Sequence, residues 1–198
     1  MIKTISMLLD ELAAYQDPYG KINRLCLEKK LFQLTRGVYT TDENVSGYCF
    51  APVIYGPSHL SFDFALARYG LIPEAVHTYT SATCLKGKKK VYHNCFGDYS
   101  YRDIPVAAFS LGIELCHESG YLYTIATPEK ALCDKLYTVT PLKNMGELEA
   151  LLFGDLRIEE SQFWALKLED LLVLAPYYHS TNLKLLEKLL RRYARRQS

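Results

Sequence analysis

Leu31-Phe32-Gln33-Leu34-Thr35-Arg36-Gly37-Val38-Tyr39-Thr40 decides how everything before it is read. Leu31-Phe32-Gln33-Leu34 has the polar and apolar pattern of a strand. Thr35-Arg36-Gly37 reads as a tight turn in which glycine supplies a positive φ, and Val38-Tyr39-Thr40 resumes the β pattern. Upstream, Asp17 offers an N-cap acceptor and Pro18 is preset for a first helical turn, while Ile22, Leu25 and Cys26 give the apolar stripe of a helix reaching about Lys30. Further upstream Ile5, Leu8, Leu9 and Leu12 recur at helical spacing, which predicts an amphipathic helix from Lys3 to about Ala14.

Two helices followed by a β-ribbon form the reduced kernel of a winged helix-turn-helix, although a segment of this length normally holds one helix more. The polar run Asp42-Glu43-Asn44-Val45-Ser46-Gly47 marks a boundary short enough for tight docking. Beyond it Ser61 is placed to cap a helix over Phe62 to Tyr69, with Asp63 in its first turn and Gly70 at its end. From Val76 to Ala126 the texture is Tyr, Thr, Val and Phe broken by turn signals, which predicts an antiparallel meander. Thr127-Pro128-Glu129 opens another helix, and leucines at helical spacing mark Leu168 to Tyr178 and Leu183 to Tyr193. The expected class is α+β. A reduced winged helix-turn-helix N-terminal domain covers 1–42, and a larger α+β domain with an antiparallel sheet and C-terminal helices covers 47–198.

Hydrophobic residues at 49% and charged residues at 23% are the proportions of a folded chain with a substantial core. Net charge is +1, so affinity for nucleic acid has to come from local clustering and not from a global field. No apolar run is long enough to span a bilayer and the N-terminus has no signal-peptide core, so a cytoplasmic protein without a membrane partner is expected. Cys26, Cys49, Cys84, Cys95, Cys116 and Cys133 form no Cys-x-x-Cys pair and read as reduced thiols.

The chemistry is expected at the N-terminal end. Tyr19, Lys21, Asn23 and Arg24 lie on the second helix, where Arg pairs with guanine and Asn with adenine in a recognition helix. Lys29 and Lys30 extend the charge, and Arg36 at the ribbon tip suits a phosphate or minor-groove contact. The plainer alternative is a solvated basic face. Lys86-Gly87-Lys88-Lys89-Lys90 is a phosphate-binding or partner-binding hairpin, or a soluble loop that discourages edge pairing. The run Arg191-Arg192-Tyr193-Ala194-Arg195-Arg196 is either a nucleic-acid contact or a solvated helix end. Cys84, His93, Cys95, Cys116 and His117 match no compact zinc spacing, and Cys116 beside His117 on a strand points the two side chains to opposite faces. Nucleophile-elbow, phosphate-loop, dinucleotide and zincin motifs are absent, which weakens an enzymatic reading. No catalytic residue, metal or cofactor is expected.

Four segments in order, Leu34-Thr35-Arg36-Gly37-Val38-Tyr39, His59-Leu60-Ser61-Phe62-Asp63-Phe64-Ala65-Leu66-Ala67-Arg68-Tyr69-Gly70-Leu71-Ile72-Pro73-Glu74, Phe96-Gly97-Asp98-Tyr99-Ser100-Tyr101-Arg102 and Ala126-Thr127-Pro128-Glu129-Lys130-Ala131-Leu132-Cys133-Asp134, together resemble the AbiEi antitoxins of abortive-infection, type IV toxin–antitoxin systems. The resemblance runs from about Lys21 to Leu136, and the helical remainder matches only in general character. It implies a winged-helix domain that represses its own operon through operator DNA. It also implies a C-terminal domain that opposes a nucleotidyltransferase-like AbiEii toxin, and no catalysis. Lys21, Arg24, Arg36 and Tyr39 fall where that family carries its DNA-reading helix and wing; Glu28-Lys29-Lys30-Leu31 departs from it where a glycine often precedes the wing. Lys88, Lys89, Lys90, Tyr99, Tyr101 and Arg102 are the expected partner surface, on the ground of exposed aromatic and basic character. The alternative is an RNA-binding or protein-interaction module whose first residues dock on the second domain. A third reading, a thiol- or metal-dependent enzyme, centres on Cys116.

Overall fold

The computed structural model describes residues 1–197, with side chains through residue 195. The chain opens with β1 (Ile2–Thr4), in which Lys3 pairs with Tyr39, so the helix expected from Lys3 starts later. Thr4 makes the switch, its hydroxyl accepting from Met7 N at 3.3 Å and capping α1 (Ile5–Glu11). Asp17 accepts from Gly20 N at 2.8 Å and starts α2 (Pro18–Leu27). The ribbon follows as β2 (Phe32–Thr35) and β3 (Val38–Thr40), with Gly37 at φ +78° in the turn, a conformation that suits glycine. β3 is the middle strand of three, in the order β1-β3-β2. Leu8, Ile22 and Leu31 form a small core beneath the two helices.

The polar segment before Gly47 is followed at once by a 3-10 turn (Gly47–Phe50) and α3 (Ala51–Ile54), which send Cys49, Phe50 and Ala51 into the main core. Then come β4 (His59–Leu60), α4 (Phe62–Arg68), β5 (Thr78–Thr83), β6 (Lys90–Asn94), β7 (Gly97–Asp103), α5 (Val106–Phe109), β8 (Ile113–Glu118) and β9 (Tyr121–Ala126). The sheet order is β6-β7-β5-β4-β9-β8, and it is mixed. The expected antiparallel meander is corrected: β6–β7 and β8–β9 are antiparallel hairpins, but β5 runs parallel to β7 and β4 parallel to β9. Because β6 goes to the edge, β7 folds back between it and β5 and travels in the direction of β5. The two-residue β4, too short to show any periodicity, sits between β5 and β9.

Two exposed aromatics expected on a partner surface are likewise corrected. Tyr99 and Tyr101 alternate inward along β7, both 0% exposed, and donate their hydroxyls to the carbonyls of Gly47 (3.0 Å) and Ala51 (2.8 Å). Alternation along a strand leaves only Arg102 of that trio on the solvent side.

Thr127 caps α6 (Pro128–Thr138) as its sequence predicts, accepting from Lys130 N at 3.3 Å. After it come α7 (Met145–Glu149), a π turn (Ala150–Asp155), α8 (Glu160–Trp164), α9 (Leu168–Leu174), a 3-10 turn (Ala175–Tyr178) and α10 (Thr181–Gln197). A single cluster of buried side chains extends from Leu34 in β2 through the sheet to Leu190 in α10. No helix among the described residues is long and apolar enough to cross a membrane.

Candidate nucleic-acid interface

α2 turns Ile22 into the small core, with Leu25 and Cys26 packed beside it, and this fixes which side chains look outward. Tyr19, Asn23 and Leu27 follow at four-residue spacing on one exposed flank, Arg24 lies opposite Ile22, and Lys21 occupies the other flank with its ammonium 5.4 Å from the centre of the Tyr15 ring. Near the end of α2, Glu28 takes up Lys30 at 2.8 Å, and that ion pair holds the Glu28 carboxyl below its ordinary value. Lys29 follows with φ +54°, which breaks the helix.

Within residues 1–42, Lys3 is paired with Glu11, Lys30 with Glu28 and Asp42 with the N-terminal amine. Lys21, Arg24, Lys29 and Arg36 make no ion pair among the described residues, and the acids left over are Asp10 and the helix cap Asp17. Four unpaired cations against two unpaired acids leave this unit a local excess of positive charge.

Arg36 is exposed at the ribbon tip, and the Gly37 carbonyl beside it accepts from Ile5 N at 2.8 Å. The tip therefore sits against the start of α1 and makes no hydrogen bond to α2 among the described residues. Tyr39 is differently placed from the other sequence candidates: it sits in the middle strand, half-buried and packed against the small core, and burial raises its hydroxyl pKa. Tyr19, Lys21, Asn23 and Arg24 share one helix. Arg36 stands apart at the tip, and Lys30 and Tyr39 are engaged in internal contacts.

This unit is tied to the rest of the chain. Asn94 in β6 donates to the Leu34 carbonyl at 2.9 Å, and the Phe32 and Phe96 rings meet edge-on with centroids 5.7 Å apart. Tyr121 in β9 donates to Asp42, and its oxygen lies 3.2 Å from the Thr40 hydroxyl.

The His59–Ser61 and Thr127–Asp134 segments meet in a buried polar network that spacing alone does not reveal. Ser61, expected to cap α4, makes no cap bond and instead donates to Asp134 at 2.6 Å. Lys130 donates to Asp134 and to Tyr178, and Tyr178 also donates to Asp134, each at 2.6 Å. His59 Nε2 stands 3.6 Å from Asp134, within ion-pair range but beyond hydrogen-bond reach, and neither ring nitrogen has a hydrogen-bond partner among the described residues. Burial lowers the His59 and Lys130 pKa values. Burial also pushes the Asp134 carboxyl up, but His59 and Lys130 outweigh it and hold it below its ordinary value. The sequence signal was the four-residue spacing of Lys130 and Asp134, which puts opposite charges on one face of the helix. All five side chains are buried, and the network joins the sheet to the helices.

Lys88, Lys89, Lys90 and Arg102 are exposed at the β6–β7 end of the sheet, where Lys90 pairs with Tyr101. Cys84, His93, Cys95, Cys116 and His117 do not converge: no group of three His, Cys, Asp or Glu side chains is placed to hold a metal among the described residues. His93 instead lies 2.6 Å from Asp98. No family model matches the chain, and no curated protein matches it.

Proposed function

We propose that the protein is a DNA-binding autorepressor and antitoxin of the AbiEi type, in which residues 1–42 form a reduced winged helix and the following domain opposes a nucleotidyltransferase-like toxin. The observation that carries the DNA-binding half is the outward face of α2, where Tyr19, Asn23 and Arg24 are exposed beside Lys21, with two cations that no internal acid pairs. The helix pair, the ribbon and the added strand β1 support a wing braced against the first helix. The antitoxin half rests on the ordered motifs that resemble that family.

The measurement is anisotropy on DNA taken from upstream of the protein's own gene, set against scrambled duplex. Lys21→Ala with Arg24→Ala is expected to reduce operator affinity and to lower the slope of log affinity against log salt by about 2, near 0.9 for each lost phosphate contact. An unchanged affinity and slope defeats the assignment of α2. Co-expression with the neighbouring toxin gene tests the other half, with restored growth expected.

The tight docking of this unit through Asn94, Phe96 and Tyr121 favours one second reading, a module in which residues 1–42 serve only as packing. Binding to structured RNA without operator preference would distinguish it.

A further inference from the structure

α10 is 17 residues long and divides its side chains sharply. Leu183, Leu186, Leu189 and Leu190 are buried in the main core. Lys184, Lys188, Arg191 and Arg195 are exposed at spacings of four, three and four, so they fall within about 60° of one another around the axis and extend about 16 Å along it. None of the four is in an ion pair among the described residues, and Glu187, half-buried at the margin of the stripe, pairs with none of them. Lys188, Arg191, Arg192 and Arg195 also line a shallow cleft of about 370 Å³ with no acid among its lining residues. The side chain of Arg196 lies outside the described residues.

We infer that this face of α10 is a sequence-independent phosphate-binding surface for duplex DNA, separate from α2 and not dependent on the role assigned to α2. A straight, rigid row of cations complements a stiff polyanion that carries one charge per about 1.7 Å of axis. A single strand is held by aromatic platforms on which its bases stack. The aromatic within this stretch is Tyr193, and its ring is already stacked on Trp164 with centroids 3.7 Å apart. A membrane surface needs apolar side chains beside the cations, and the leucines of α10 face the core instead.

The experiment compares the full chain with a variant carrying Lys184→Gln, Lys188→Gln, Arg191→Gln and Arg195→Gln, titrating a short duplex of arbitrary sequence at several salt concentrations. The variant is expected to keep its thermal unfolding profile and to lose about 3 to 4 from the salt slope, so that between about 50 and 200 mM salt the unmodified protein weakens on the order of a hundredfold more than the variant. A control with Lys184→Arg and Lys188→Arg is expected to retain the original slope. An unchanged slope in the glutamine variant overturns the inference. So does single-stranded DNA of the same length, polyglutamate or anionic lipid vesicles binding the unmodified chain as tightly as the duplex. Because the duplex has arbitrary sequence, loss of operator preference in the α2 variant leaves this result untouched.

Discussion

Asp134 carries its charge where no solvent reaches, and its energetics follow from what surrounds it. Removing one member of a buried pair leaves the other uncompensated, so Asp134→Ala is expected to cost about 3–5 kcal/mol in urea denaturation. Replacing both ions with apolar residues, Lys130→Met with Asp134→Leu, is expected to cost much less than the two single changes added together. A sum equal to the double variant would show that the two groups do not act as a pair. His59 makes a second prediction. Burial lowers its pKa in the folded chain, so the unfolded chain binds the proton first as pH falls. Stability is therefore full above the ordinary histidine value, near pH 6.5, and declines below it. Asp134 and Glu118, the latter held low chiefly by the Tyr48 hydroxyl, add their own losses further down, below the ordinary carboxylate range. His59→Leu is expected to remove the upper part of that decline, and denaturation midpoints between pH 7 and about 5 measure it.

Gly20 in α2 shows how one element constrains itself. An alanine in an exposed helix is ordinarily favoured over glycine by about 1 kcal/mol. Here a Cβ at residue 20 would lie 2.0 Å from Asp17 Oδ2, the oxygen beside the Oδ1 that accepts the cap bond, so Gly20→Ala displaces a cap worth about 1 kcal/mol. Gly20→Ala is expected to be near neutral in the unmodified chain and stabilising once Asp17→Ala has removed the cap, as a thermal-melt cycle reads out. Elements with a local signature were legible in the same way: the Asp17-Pro18 and Thr127-Pro128 helix starts, the Arg36-Gly37 turn and the leucine stripe of α10. Elements defined by distant partners were not. β1 and β4 are three and two residues long and exist because β3, β5 and β9 pair with them. Tyr99 and Tyr101 were misplaced for a related reason, since strand alternation tells which residues share a face but not which face is covered. Of the proposed site, the residue types on α2 were readable, while the internal partners that occupy Lys30 and Tyr39 were not.

The small core under residues 1–42 contains three fully buried aliphatic side chains, each worth about 1.5–3 kcal/mol. Ordering a residue costs about 1–2 kcal/mol in backbone entropy, so this core cannot hold the unit alone. Its stability is borrowed from Leu34, Ile2 and Val38, which pack on the main core, and from the Asn94 and Tyr121 contacts. A single cooperative unfolding transition is expected for the whole chain, with Tyr121→Phe accelerating amide exchange in β3 more than in α6. Two resolved transitions would mean that the units fold separately.

β4 also carries a consequence for the order of events during synthesis. Ser61 must wait for Asp134, 73 residues further along, which a ribosome supplies at roughly 5–20 residues per second, so the nascent chain carries the sheet's half of the polar network without its carboxylate for several seconds. Over that interval β4 finds β5 on one side and waits for β9 on the other, and His59 and Ser61 lack the helix that later brings them Asp134.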